Sequence, residues 1–512
     1  MSSDSQSNNK RIAKNTIYMY LRMMVMLVVS LFTAGIVFNT LGVDDYGIYN
    51  IVGSIVVFFT FLNNGLTQAT RRFITAELAT GTPESQRNVF NMSLVSHAII
   101  ACVVFVLAET IGLWGVNYFL NIPEERMFAA NIAFQVSVLT TLFNVMQAPY
   151  TAAITANEKM NVYAYFSIFE IVLKLMLIAA VVYIDYDKLI VYSIMICIVS
   201  IINIMLYRVY CRLKFQMCKL TRPHGRQLLK EMFGFTGWSL MGQGVVVLNN
   251  QGVTVLINMF FSVAANAAMG VSNQITNIVN QFVSNFQIAF NPQITKLYVK
   301  QEYNELINLV LRSSRFSSYL IMVFMIPICF QIDNFLSLWL GDYPQYTVEF
   351  CIFTLMAIFI DCLAAPLWMV LGSDKDIKTY QIVVSTLYSF NFIGSWIALY
   401  CGMPPYSVIL VRICVFAITL VARLILTKGK VSVFSIGRWV KDVLLRSLII
   451  VSIPAVIMVF VNKIEYRNSI IELIANSCIA FLFTVMTIYT LGLTKNERAF
   501  FVEKIKKFKL GH

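Results

Sequence analysis

Apolar stretches of about 20 residues follow one another along the whole chain, each long enough to cross a bilayer as a helix. Short polar breaks separate them. Hydropathy predicts about fourteen transmembrane helices, near 16–39, 47–69, 90–113, 129–156, 162–184, 189–210, 236–261, 264–290, 316–338, 347–371, 379–401, 405–427, 443–461 and 470–492.

The pattern also repeats. Ala148-Pro149, the polar turn Asn157-Glu158-Lys159 and Tyr163 return as Ala365-Pro366, Asp374-Lys375-Asp376 and Tyr380, at a shift of 217. Pro123 pairs with Pro344 at 221, and Gly47-x-x-Asn50 with Gly270-x-x-Asn273 at 223. Three anchors in one order predict an internal duplication. Each Ala-Pro pair falls in the inner half of a predicted span, where proline lacks an N–H and kinks the helix. The expected architecture is an all-α polytopic membrane protein. Two parallel six-helix lobes, 1–215 and 216–430, surround a central cavity, and an extra helix pair with a basic tail follows over 431–512.

Charge sets the orientation. With the N-terminus inside, 32 of the 39 Lys and Arg fall in inner segments and four (Arg126, Lys188, Lys463, Arg467) in outer loops. The other three (Arg22, Lys174, Arg412) lie within spans. The positive-inside rule then places both termini in the cytoplasm. An even number of spans per repeat makes the lobes parallel, related by an axis along the membrane normal. The loop from Arg208 to Lys230 carries the most charge and is the expected inter-lobe linker. The composition agrees, at 58% hydrophobic, 13% charged and mean hydropathy +0.72. The net charge of +13 therefore reports topology and not a nucleic-acid partner. Ten scattered cysteines with no C-x-x-C pair read as small core residues, and neither a metal nor a cofactor is expected.

Two spans depart from the lipid-facing pattern. Asn273, Asn277, Asn280, Ser284, Gln287 and Asn291 recur at intervals of four and three, which puts them on one helical face. At the repeat shift their partners include Asn50, Ser54, Asn64 and Gln68, and span seven adds Gln243, Asn249, Asn250, Gln251 and Asn258. Such amides serve either as interhelical glue or as the wall of a watery cavity. The length of the face favours the wall, with Asn50, Asn64, Gln68, Asn273, Asn280 and Gln287 lining it across spans two and eight. Amides both donate and accept, which suits sugar hydroxyls.

Ionisable groups inside spans are functional candidates. Arg22 lies in the inner third of span one, and Arg71 and Arg72 at the inner end of span two. Arg412 is near the middle of span twelve, with Asp361 on span ten as its expected partner. Glu170 and Lys174, four apart on span five, are expected to face each other as a pair serving structure or ion coupling. His97 is expected to be a buried polar residue.

Lys14-Asn15-Thr16 with Arg22, the stretch from Asn39-Thr40-Leu41-Gly42 through Gly47-Ile48-Tyr49-Asn50, and Ala69-Thr70-Arg71-Arg72-Phe73 resemble the Wzx-type polysaccharide flippases. Asn291-Pro292-Gln293-Ile294 and the Ala365-Pro366 segment do likewise. Those flippases belong to the multidrug/oligosaccharidyl-lipid/polysaccharide exporter superfamily. The resemblance implies a V-shaped bundle whose central cavity opens alternately to each side of a bacterial inner membrane. Its substrate would be an undecaprenyl-pyrophosphate-linked oligosaccharide, such as an O-antigen or capsule precursor. Membrane lipids, polysaccharide-assembly proteins and a coupling sodium ion or proton would be partners. Arg22, Arg71 and Arg72 are the residues carried over as pyrophosphate ligands. An ion-coupled multidrug or metabolite antiporter of the same superfamily is the alternative. It would need acidic cavity residues, and spans one, two, seven and eight carry none in their membrane cores. A membrane polysaccharide polymerase or ligase would need positioned acid/base groups or a sizeable outer loop, and the outer loops are short. No phosphate loop of the G-x-x-x-x-G-K-[ST] type is present, which argues against ATP hydrolysis.

Overall fold

The structure, a computed structural model, describes residues 3–157, 159–288, 290–374, 378–463, 469–495 and 497–499. Side chains are described from residue 22 onward, apart from 61–62, 64, 68, 79–80, 235–243, 285, 288 and 292. The described backbone is helix joined by short turns. It divides into two compact units, Met1–Gly270 and Val271–His512.

The amino-terminal unit holds α1 (Ser3–Phe59), α2 (Phe61–Thr80), α3 (Pro83–Tyr118), α4 (Met127–Ala156), α5 (Met160–Val181) and α6 (Lys188–Lys214). It continues with α7 (Arg226–Val247) and α8 (Val253–Phe260), then the first turns of α9 (Val263–Ile288). The carboxy-terminal unit takes the rest of α9 and α10 (Asn291–Val299), α11 (Tyr303–Phe330), α12 (Ile332–Leu340) and α13 (Thr347–Gly372). It ends with α14 (Lys378–Tyr400), α15 (Ser407–Lys430), α16 (Ile436–Val461) and α17 (Ser469–Gly492).

Eleven helical stretches among the described residues are long and apolar enough to cross a membrane. The first, Arg22–Phe59, is 38 residues long, nearly twice the ~20 that one crossing needs. Gly42 breaks it with φ 75°, a region closed to most side chains. The stretch Gly244–Phe260 counts only as a shorter apolar helix. A π-turn over Leu248–Gly252 carries Asn249, Asn250 and Gln251 there. The duplicated prolines fall inside helices, Pro149 in α4 and Pro366 in α13, and another helix follows each.

Hydropathy misplaced several helix ends. Span two, expected to stop at 69, bends at Thr60 and runs on as α2 to Thr80, ending at an extended Gly81. Arg71 and Arg72 end the apolar run but favour helix, so they lie within α2 and not at its end. Span nine, expected from 316, begins at Tyr303, because buried Ser313, Ser314, Ser317 and Ser318 lower its hydropathy without exposing it. These serines lie on the helix, α11, that packs against α16 and α17. Small residues there let helix backbones approach. Ser318 and Ser447 meet at 2.9 Å, the Tyr319 hydroxyl donates to Gly492 O at 3.0 Å, and Arg315 meets Glu497 at 2.8 Å. Gln331 donates to Asn462 at 2.8 Å near the opposite end, so the carboxy-terminal pair is bound to α11 along its length.

Two of the basic residues expected in outer loops, Arg126 and Lys188, are engaged. Arg126 donates from Nε and Nη2 to Asp45 at 2.8 and 2.5 Å, and from Nη1 to Asp187 at 2.6 Å. Lys188 Nζ donates to the Val181, Val182 and Ile184 carbonyls at the end of α5. Asp187 caps α6 by accepting from the Leu189 and Ile190 amides. Burial opposes the Asp187 charge. Hydrogen bonds from Arg126 and the Ile190 amide outweigh it and hold the carboxyl below its ordinary value of 3.8.

Arg126→Ala is expected to lower stability by about 2 kcal/mol, since two carboxylates lose charge-assisted bonds and face each other. The thermal midpoint of detergent-purified protein reads this, and an unchanged midpoint would make the triad ornamental. The depressed Asp187 pKa makes its share of stability complete above 3.8 and lost as pH falls through the lower folded value.

Candidate functional site

In the amino-terminal unit α5 packs against α1 and α6, and α4 against α6. On α5, Tyr163, Ser167, Glu170 and Lys174 follow at intervals of four, three and four, forming one polar stripe on a strongly apolar helix. Arg22 reaches the stripe from α1. Its guanidinium carbon lies 4.6 Å from the centroid of the Tyr163 ring, and Nη2 donates to the Tyr163 hydroxyl at 3.4 Å. Arg22 Nε is buried and has no hydrogen-bond partner among the described residues. Cation–π contact holds a guanidinium in place without neutralising it.

Seven residues beyond Tyr163, Glu170 accepts a 2.6 Å hydrogen bond from Asn203 on α6. Asn203 Nδ2 also lies 3.3 Å from Gln147 Oε1 on α4. The expected direct pairing of Glu170 with Lys174 is not formed. Both side chains are described, yet no ion pair within 4.0 Å joins Glu170 to Lys174 or to Arg22. Both cations are nevertheless near enough for their charges to act on the carboxylate. Asn203, alone on an apolar face, takes the hydrogen bond because α6 lies across the stripe. Spacing along α5 could not reveal a partner on another helix.

In the carboxy-terminal unit the expected partner of Asp361 is corrected. Arg423 Nη1, not Arg412, meets Asp361 Oδ1 at 3.2 Å, and Arg423 Nη2 donates to the Tyr388 hydroxyl at 2.9 Å. Arg412 and Arg423 are eleven residues apart, three turns along the same face of α15. The face was readable, but the depth at which α13 crosses it was not. Arg423 also acts on Tyr380, the repeat counterpart of Tyr163. Each duplicated tyrosine thus meets an arginine, from α1 in one unit and from α15 in the other.

The predicted amide face divides. Asn277, Asn280 and Ser284 on α9 are exposed, and Asn273, Gln287 and Asn291 are half-buried. Ile275, Val279 and Val283 on the opposite side are buried. Gln287 donates to the Cys362 carbonyl at 3.4 Å. Asn50 donates to Tyr46 O at 2.7 Å and packs against Gly270, so it has neighbours of its own. Asn250 is exposed on the π-turn. Arg71 and Arg72 are exposed on α2. The side chains of Asn64, Gln68 and Gln243 lie outside the described residues. His97 is fully buried, with Nδ1 2.9 Å from Ser93 O.

The helical fold is shared with known structures. Lipid II flippase MurJ, in an inward closed conformation, superposes with TM-score 0.66 at 13% identity, covering 93% of this chain and 98% of that one. An inward-facing multidrug resistance MATE family transporter of the MOP superfamily gives TM-score 0.66 at 11% identity, covering 82% and 100%. A MOP superfamily transporter from Pyrococcus furiosus, described by the reverse polarity of its binding pocket, gives 0.59 at 12% identity, covering 82% and 96%. The fold is that of MOP superfamily transporters and not of enzymes. Residues 38–349 match the polysaccharide biosynthesis protein family, and the chain belongs to it. No curated protein sequence matches the chain.

Proposed function

We propose that this protein is a flippase for an undecaprenyl-pyrophosphate-linked oligosaccharide, moving it from the cytoplasmic to the periplasmic leaflet of a bacterial inner membrane by alternating access. Fourteen spans would do this: the eleven apolar stretches, with Arg22–Phe59 counted as two at Gly42, and the two amide-bearing helices ending at Phe260 and Ile288. They would form two parallel six-helix lobes and a carboxy-terminal pair, with both termini cytoplasmic.

The observation that carries the reading is Arg22. A cation inside a membrane helix is costly unless it has a use. Arg22 rests on an aromatic ring, and among the described residues no carboxylate lies within ion-pair distance of it, unlike Arg315 and Arg423. That arrangement suits an arriving phosphate, whose oxygens match a guanidinium fork. Exposed Arg71 and Arg72 would recruit the anion, and the α9 amides would meet its sugars, since amides facing lipid would lack partners. The antiporter alternative needs a carboxylate open to cationic drugs. Asp361 is engaged by Arg423, and Glu170 lies between two cations, which weighs against it.

The test is flipping of a labelled polyprenyl-pyrophosphate oligosaccharide by purified protein in liposomes, beside uptake of a cationic dye. Glycolipid flipping without dye transport is the expected result. Dye transport without flipping would replace the flippase with the antiporter.

A further inference from the structure

We infer that Lys174 is a second, deeper holding point for the same anion, and that Glu170 is its resident countercharge. This rests on the flippase reading and adds two residues to its path. Tyr163 marks the level of Arg22, and Lys174 lies eleven residues further along α5, or roughly 16 Å along the helix axis. Two cations therefore stand at two depths on one face, with the carboxylate between them.

Comparison of the two units shows what the carboxylate does. In the carboxy-terminal unit Asp361 meets Arg423 Nη1 in an ion pair at 3.2 Å, and Tyr388 accepts from Nη2. A cation held like that is locked. In the amino-terminal unit Glu170 accepts from Asn203 at 2.6 Å and forms no ion pair within 4.0 Å with Arg22 or Lys174. The groups around it are Tyr163 and Lys174 on α5, Arg22 on α1, Asn203 and Tyr207 on α6, and Gln147 on α4. Glu170 offsets the two positive charges through space and leaves their donors to a ligand.

The stripe carries a net charge of about +1 when Arg22 and Lys174 are protonated and Glu170 is ionised. An anion passing it needs attraction enough to enter and repulsion enough to leave. Arg22 and Lys174 supply the first, and Glu170 supplies the second. A pyrophosphate moving from Arg22 to Lys174 passes Glu170 and is never held by both cations unopposed.

The experiment uses the full chain, purified in detergent, with inorganic pyrophosphate as the probe for calorimetry, and the liposome flipping assay beside it. Glu170→Gln keeps the shape and the Asn203 contact. It should tighten pyrophosphate at least about tenfold, since a unit charge about 10 Å away at an effective dielectric near 20 acts that strongly on each charge of the probe, and slow flipping. The double variant Glu170→Gln with Lys174→Gln removes both charges together, which a merely structural buried pair tolerates. It should keep wild-type abundance and thermal midpoint, yet lose at least nine-tenths of flipping.

Wild-type flipping by the double variant would overturn the inference and leave the pair structural. Should the double variant fail to accumulate, the single variant decides: tighter binding supports the countercharge, and unchanged or weaker binding rejects it. Absence of pyrophosphate binding by the wild type, or undiminished binding by Arg22→Ala, would instead sink the flippase reading itself.

Discussion

Arg22→Ala is expected to abolish surface-glycan export in cells whose protein level, checked by blotting, equals that of the wild type. Among the described residues it makes one long hydrogen bond, 3.4 Å to Tyr163, and one ring contact, so few of these contacts are lost with it. On the flippase reading, what is lost is the cation that would meet an anion leaving the headgroup zone. Charge-assisted hydrogen bonds contribute about 1.5–3 kcal/mol each, or roughly ten- to a hundredfold in affinity. Losing two from one guanidinium leaves export below detection. Arg22→Lys restores the charge but not the planar fork, and should recover little export. Arg71→Lys should recover most, because an exposed recruiting site on α2 works through net charge. Full export by Arg22→Ala would remove it from the mechanism. Equal loss from Arg22→Lys and Arg71→Lys would end the division between holding and recruiting.

The parts of this site that were legible in the sequence are those that one helix or one repeat contains. The duplication identified Tyr163 and Tyr380 through Ala-Pro pairs and polar turns, and both tyrosines carry an arginine in the structure. The arginines were not inferable from the repeat, since each arrives from a helix without an arginine at the equivalent place in the other copy. Arg423 was hidden for another reason: it sits near the carboxy-terminal end of α15, expected to be inner, where a basic residue reads as topology and not as an ion-pair partner. Asn203 is the single amide of α6, and Gln147 is one of four amides on α4, so neither marked itself as a partner of Glu170. The few basic residues expected in outer loops are the converse case. Arg126 and Lys188 break the positive-inside trend, and the structure gives each a fixed job, bridging two carboxylates or capping a helix.

The largest structural effect is expected at Gly47. Within the amino-terminal unit, the part of α1 after Gly42 crosses the first turns of α9 with no room between them. A Cβ at Gly47 would lie 2.7 Å from the Val263 carbonyl carbon and closer still to its oxygen. One at Gly270, its repeat counterpart, would lie 2.8 Å from the Asn50 amide nitrogen. The two obstacles differ. Asn50 is a side chain that can turn away, whereas Val263 presents backbone, and only movement of a helix would relieve the clash. Gly47→Ala should therefore destabilise by about 2 kcal/mol and Gly47→Val by more than about 3, beyond the usual range for overpacking because the neighbour cannot rotate. Gly53, six residues along the same helix, has nothing within 4 Å of its Cβ position. Gly53→Ala should be neutral or stabilising by up to about 1 kcal/mol through helix propensity alone. Thermal midpoints of the three variants in one detergent separate close packing from a general need for glycine. A wild-type midpoint for Gly47→Ala, or an equal fall for Gly53→Ala, would show that the crossing is not held by Gly47.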